Sequence, residues 1–222
     1  DFTVAFGTET DTLDAEGAPV ATSSHRPTAA DIAAVLTRFT GPIAQVPPAY
    51  SALKVDGRRA YDRARAGEEV VLASRDVTIH ALETVAATPD SATLSARVSK
   101  GTYIRSLARD IARALGTVGH VTMLRRTRSG PFGLEHAISL DLLYELGQGP
   151  AFAQAFLPLT AGLDDIPALS VSTDQARRLR MGQRAVGFAG IYGLHLAMDG
   201  TIPVALVEGG GDDLRVVRGF NL

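Results

Sequence analysis

Ala92-Thr-Leu-Ser-Ala-Arg-Val-Ser-Lys-Gly-Thr-Tyr-Ile-Arg-Ser-Leu-Ala-Arg-Asp-Ile-Ala-Arg-Ala-Leu-Gly116 changes its hydrophobic period in mid-course. Ala92, Leu94, Ala96 and Val98 alternate with Thr93, Ser95 and Arg97, the pattern of a strand with one covered face. From Ile104 onward Leu107, Ala108, Ile111, Ala112 and Leu115 recur at helical spacing as far as Gly116, a good helix terminator. Ser99 to Tyr103 is therefore a strand-to-helix junction, a place where side chains are aimed into a site.

Outward from this junction, Phe2–Phe6 and Arg75–Val85 read as strands and Val121–Thr127 as a short extended segment. Thr28–Phe39, with Pro27 near its start and Ile32, Val35, Leu36 and Phe39 on one side, reads as an amphipathic helix, followed by a loop from Gly41 to Pro48. Leu146 to about Leu169 turns to Gly, Pro, Ala and acidic residues, as a connector between domains does. Beyond it, a helix at Asp174–Met181 precedes three short strands, Ile191–Met198, Ile202–Val207 and Leu214–Val217, separated by Asp199-Gly200 and a Gly209-Gly210-Gly211 loop. The expected fold is α+β: a mixed, mostly antiparallel sheet with flanking helices over residues 1–165, then a small β-barrel over 166–222.

The 222 residues, 45% hydrophobic, suffice for a substantial core. The longest uncharged stretch, Leu146–Leu163, is interrupted by Gly147, Gln148, Pro150, Gln154 and Pro158, so no membrane helix is expected. Without cysteine there is no disulfide framework, thiolate metal site or cysteine nucleophile, and cytoplasm is the expected compartment. The net charge of −2 conceals a local excess: Arg97, Lys100, Arg105, Arg109, Arg113, Arg125, Arg126 and Arg128 face Asp110 alone. A cluster spread over several elements suits a polyanionic partner better than one solvated helix face.

Other chemistries lose support in turn. Asp11-Thr-Leu-Asp14-Ala-Glu16-Gly17 has apolar residues where a calcium loop needs oxygens, so it reads as a turn held by its Asp side chains. The five histidines lack metal-ligand spacing, so no metal is expected, and no GxxxxGK[ST], GxGxxG or GxSxG pattern occurs. Taken alone, Leu124 reads as a core leucine, Tyr103 as a junction hydrogen-bonding group and Arg105 as a helix-surface ion pair.

Three segments change that balance. Gly7-Thr-Glu-Thr-Asp-Thr-Leu-Asp-Ala-Glu-Gly17, then Gln45-Val-Pro-Pro-Ala-Tyr-Ser-Ala-Leu-Lys54 with Gly57-Arg-Arg-Ala-Tyr61, and finally Ser99-Lys-Gly-Thr-Tyr-Ile-Arg105 with Gly119-His-Val-Thr-Met-Leu-Arg-Arg126, together resemble the TruB family of tRNA pseudouridine synthases. The resemblance covers residues 1 to about 140. The bias of arginine over lysine, with only Lys54 and Lys100 present, suits an actinobacterial-type member. It implies a cofactor-free isomerase acting on uridine 55 of the tRNA T-arm: the base is flipped out, an aspartate supports cleavage of the C1′–N1 bond, and uracil rejoins through C5. A monomer is implied, with tRNA as partner and no membrane or protein partner.

By the same resemblance Arg105 pairs with the catalytic aspartate, Tyr103 lines the pocket and Leu124 packs on the flipped base. Lys54, Lys100, Arg125, Arg126, Arg58 and Arg59 contact phosphate, and residues 166–222 form a PUA-like domain in which Arg177, Arg178, Arg180 and Arg184 could grip RNA. The family places its aspartate in a GxLDPxAxG segment ahead of the TDTxDxxG stretch, and Asp14 belongs to the later motif. The expectation is thus a chain lacking that N-terminal segment, inactive by itself, with Arg105 facing a site without its carboxylate. The alternative is a tRNA-binding or remodelling protein without catalysis; an unrelated hydrolase or transferase ranks lower.

Overall fold

Phe2, Val4 and Phe6 alternate inward along β1 (Phe2–Phe6), and this strand lies inside a sheet rather than at its margin. The computed structural model describes residues 1–55 and 57–221, and these fall into two compact units, Asp1–Arg126 and Thr127–Leu222. In the first, β2 (Thr8–Thr10) pairs with β3 (Pro19–Thr22) across the acidic turn. Helix α1 (Ala29–Leu36) follows, shorter than the sequence predicts because Thr37–Phe39 tighten into a 3₁₀ turn. It begins at a reciprocal capping box in which the Thr28 side chain accepts from the Asp31 N–H and Asp31 accepts from the Thr28 N–H.

Gly41–Gln45, expected to be loop, is strand β4. A small ribbon, β5 (Lys54–Val55) with β6 (Arg58–Arg59), leads into helix α2 (Ala60–Arg65). Then β7 (Arg75–Ala87) and β8 (Ser91–Val98) form a hairpin, helix α3 (Ile104–Ala114) follows the junction, and β9 (Gly119–Leu124) closes the unit. The sheet order is β4-β7-β8-β1-β9, every neighbouring pair antiparallel. Ile32, Val35 and Leu36 of α1 and Leu107, Ala108, Ile111 and Ala112 of α3 share one core with Phe2, Val4, Phe6, Ile79 and Leu94 of the sheet. Each large side chain buried there contributes about 1.5–3 kcal/mol relative to exposure, so the two helices are fixed to the sheet with the start of α3 at its edge.

The second unit opens with a two-residue ribbon, β10 (Arg128–Ser129) and β11 (Phe132–Gly133), helix α4 (Leu140–Gly147), and 3₁₀ turns at Pro150–Ala155 and Leu159–Gly162 within the expected connector. Strand β12 (Ala168–Ser170), helix α5 (Thr173–Arg180), β13 (Ala185–Asp199) and β14 (Ile202–Gly219) complete it. Here the predicted barrel is corrected. Among the described residues these strands form an open three-stranded sheet, β12-β13-β14, with β12 parallel and β14 antiparallel to β13. The reason lies in the glycines. Gly209, Gly210 and Gly211, read as a loop, sit within β14 opposite Gly193, Tyr192 and Ile191, so the two predicted strands on either side are one. A Cβ on Gly209 would lie 2.6 Å from the Ile191 carbonyl oxygen, an approach that only glycine permits.

Candidate active site

The junction before α3 is built by short polar side chains. The Thr78 N–H donates to Ser99 Oγ at 2.9 Å, and Thr102 Oγ1 donates to the Ser99 carbonyl at 2.9 Å. Gly101 turns through φ +84°, a conformation disfavoured for residues with a Cβ. Tyr103 is the N-cap of α3 but supplies no side-chain cap. Its backbone is held instead by Gln45, whose Oε1 accepts from the Tyr103 N–H at 2.8 Å and whose Nε2 donates to the Tyr103 carbonyl at 3.1 Å.

Arg105 projects from the first turn of this helix into the meeting point of two other segments. Its NH1 donates to the Thr12 carbonyl and to Asp14 Oδ2, each at 2.8 Å, and its NH2 donates to the Tyr50 carbonyl at 2.7 Å. Asp14 in turn accepts from Thr12 Oγ1 at 2.6 Å and from the Glu16 N–H at 3.2 Å. Burial taken alone pushes the Asp14 carboxyl up, but the hydrogen bonds from Thr12 and Glu16 together with the charge and hydrogen bond of Arg105 outweigh it. The carboxyl therefore sits below its ordinary value of 3.8. Leu13, buried and at φ +63°, donates to the Thr10 carbonyl and accepts from the Val121 N–H, which ties this turn to β9. The acidic stretch is thus a turn held by its Asp side chains, as its sequence indicates, and Asp11 Oδ1 closes it by accepting from the Ala18 N–H at 2.9 Å.

The next two turns of α3 repeat the bracing. Arg109 donates to Asp110 Oδ1 at 2.8 Å and to the Val46 carbonyl at 3.2 Å; Arg113 forks onto the buried Glu9 at 2.7 and 3.2 Å. These pairings neutralise much of the basic cluster that the sequence presents. Among the described residues no carboxylate stands within ion-pair distance of Lys100, Arg125 or Arg126, all exposed. Lys54 and Arg59 are likewise exposed on the β5–β6 ribbon, Arg59 bonded to Tyr61 Oη at 3.1 Å, whereas Arg58 is engaged by Glu68 at 3.0 Å.

Leu124 ends β9 beside Phe2 and is 57% exposed, so it is not a core leucine. Tyr103 is half-buried, with the Arg75 guanidinium 5.9 Å from its ring centre. Sequence reasoning missed four participants: Gln45, Thr12, Tyr50, and Asp14 as the partner of Arg105. Each of the four lies inside one of the quoted motifs, but none of those motifs indicates its partner.

The model of the TruB family pseudouridylate synthase N-terminal domain matches residues 1–104, and that of the tRNA pseudouridylate synthase B C-terminal domain matches residues 105–161. The chain is 62% identical over 226 residues to tRNA pseudouridine synthase B of Novosphingobium aromaticivorans, covering 100% of this chain and 74% of the relative. It is 58% identical over 220 residues to the enzyme of that name from Zymomonas mobilis, covering 99% and 73%. Neither is an actinobacterium, so the arginine bias carries no such signal. Among solved structures, an H/ACA RNP bound to a substrate RNA containing 2′-deoxyuridine matches with a TM-score of 0.67 at 22% identity, and a Cbf5-Nop10-Gar1 complex with 0.66 at 24%. The chain spans 66% of each of those chains, and at such identities the likeness is one of fold.

Two expectations are corrected. The match over residues 1–104, with relatives aligned along essentially the whole chain, overturns the reading of a polypeptide without its N-terminal catalytic domain and inactive for that reason. Nor does Arg105 lack a carboxylate partner, since Asp14 Oδ2 lies 2.8 Å from its NH1.

Proposed function

This chain belongs to the TruB family of pseudouridylate synthases, and on that premise we propose that it isomerises a uridine of tRNA to pseudouridine, in the T-loop at position 55. The observation that carries the reading is the convergence of the α3 N-terminus, the acidic turn and the Pro47-Pro48 loop on one guanidinium, Arg105. A cation fixed by three acceptors is pre-organised, so its field at the reacting sugar needs no rearrangement during the reaction.

The division of labour follows from surroundings. Asp14 already accepts from Thr12, Glu16 and Arg105, so both of its oxygens are committed, which suits an anchor that orients Arg105 rather than the attacking group. Arg105 in turn keeps the Asp14 carboxylate ionised and directed. Leu124, an exposed apolar platform, packs on the everted base, and Tyr103, half-buried at the N-cap of α3, lines the base pocket. Base eversion requires a grip on the strand, which Lys54, Lys100, Arg125 and Arg126 supply through phosphate, with Arg59 and Arg58 on the ribbon beside them. Residues 1–165 carry catalysis, and residues 166–222, of which the last lies outside the described residues, extend the RNA contact through the arginines at the end of α5. Among the described residues no helix is long and apolar enough to cross a membrane, and the cytoplasm is the compartment in which the enzyme meets tRNA.

The test is direct. The full-length protein, mixed with a T-arm transcript, converts one uridine to pseudouridine without any added cofactor. Tight, salt-dependent tRNA binding with no pseudouridine formed would overturn the isomerase and leave a binding protein.

A further inference from the structure

Gln45 is among the largest fully buried side chains of the molecule, at 0% exposure, and it is polar. A buried amide is retained where both its oxygen and its nitrogen find partners, because an unpaired polar atom is costly. Here both ends are committed to a single residue 58 positions away, Tyr103, with Oε1 accepting and Nε2 donating. The reciprocal pair fixes the Tyr103 peptide planes in distance and in rotation, as a rung of a β-ladder does. Tyr103 lies at the N-cap of α3, two residues before Arg105, and has no side-chain cap of its own.

Behind Gln45 the same loop is stapled to the same helix. Ser106 Oγ donates to the Val46 carbonyl at 2.8 Å, Arg109 reaches that carbonyl at 3.2 Å, and Arg105 holds the Tyr50 carbonyl. Of these contacts the Gln45 clamp alone acts on the backbone where α3 starts, so it sets the axis from which Arg105 projects. We propose that Gln45 is a positioning residue for the isomerisation: it touches no substrate, and by clamping Tyr103 it aims Arg105 and the Tyr103 ring at the reacting uridine. This rests on the isomerase reading above and adds to it a residue whose role lies in geometry.

Two substitutions in the full-length protein separate aiming from simple core filling. Gln45→Met preserves bulk and removes both bonds. It is expected to lower kcat roughly 10- to 100-fold, the consequence of a misplacement near 1 Å, with KM for tRNA within about threefold of wild type because the phosphate contacts are untouched. Gln45→Glu is isosteric. Neutral, its carboxyl can still donate to the Tyr103 carbonyl and accept from the Tyr103 N–H; ionised, it sets an anionic oxygen against that carbonyl. Burial raises the pKa of such a carboxyl. Turnover of Gln45→Glu relative to wild type should therefore fall as pH rises through that pKa; because ionising a buried carboxyl also lowers stability, the fall counts for aiming only where the protein stays folded across the same pH range.

If Gln45→Met does not fold, Gln45→Glu carries the test on the acid side, with circular dichroism confirming an unchanged fold. Wild type active and Gln45→Glu parallel to it at every pH, with any folded Gln45→Met within twofold in kcat, overturns the positioning role while leaving the isomerase intact. A wild-type protein that forms no pseudouridine removes both.

Discussion

Replacing Arg105 by lysine keeps the charge and removes the fork. The guanidinium uses two nitrogens to reach acceptors on two segments: Thr12 and Asp14 on one, Tyr50 on the other. A lysine ammonium is a single nitrogen and cannot span both, so at least one charge-assisted bond is lost, each worth about 1.5–3 kcal/mol. The side chain is 25% exposed, so solvent screening does not erase that figure. If the loss falls on the transition state, each 1.36 kcal/mol corresponds to a factor of ten, and kcat drops about 10- to 150-fold. A T-arm transcript tritiated at C5 of uracil reports the reaction, because rejoining through C5 expels that hydrogen. Binding of tRNA, followed by filter retention, should change by less than about threefold, since Arg105 is occupied internally. Turnover of Arg105→Lys within twofold of wild type, at equal melting temperature, would refute the claim that this fork orders the site.

Leu124→Ala should leave stability within about 0.5 kcal/mol of wild type, as at an exposed site, yet lower turnover by the ~1–3 kcal/mol of a lost base platform; urea unfolding and the C5-release assay read the two effects separately. Lys54→Ala, Lys100→Ala, Arg125→Ala and Arg126→Ala should each reduce the slope of log Kd against log salt by about 0.7–0.9, measured by titration of tRNA at several ionic strengths. Because the pKa of Asp14 is depressed in the folded protein, its contribution to stability is fully present above the unfolded value of 3.8 and disappears as pH falls through the lower folded one. The stability gap between wild type and Asp14→Asn should accordingly stay level down to about pH 5 and shrink below 3.8, as followed by denaturant unfolding. Gly209→Ala forces a methyl against the Ile191 carbonyl and should cost about 1–3 kcal/mol, visible in the melting of the Thr127–Leu222 unit.

The change of period across residues 92–116 was legible because a covered strand face and a helix face each impose their own spacing on neighbouring residues, and β8 and α3 match it closely. β4 was not, since Gly41-Pro42 is turn chemistry; the strand tolerates proline because it lies at the sheet edge, where an absent N–H breaks no inner ladder. The glycines of β14 misled for a related reason: they mark close backbone approach as readily as a turn, and only the facing strand decides which. In the site, residue types were legible through resemblance, whereas partnerships were not. Arg105 and Asp14 are separated by 91 positions and Gln45 and Tyr103 by 58, and no local rule couples them.

The turn carrying Asp14 is held from within, by bonds such as Asp11 to the Ala18 N–H and Thr10 Oγ1 to the Asp14 carbonyl, and from outside, by Leu13 to the Val121 N–H and by Arg105 to Asp14 and the Thr12 carbonyl. Internal and external anchors alternate along the same few residues, so one extra residue between Thr10 and Ala18 could satisfy either set but not both. Length variation among descendants of this sequence should therefore spare that interval entirely.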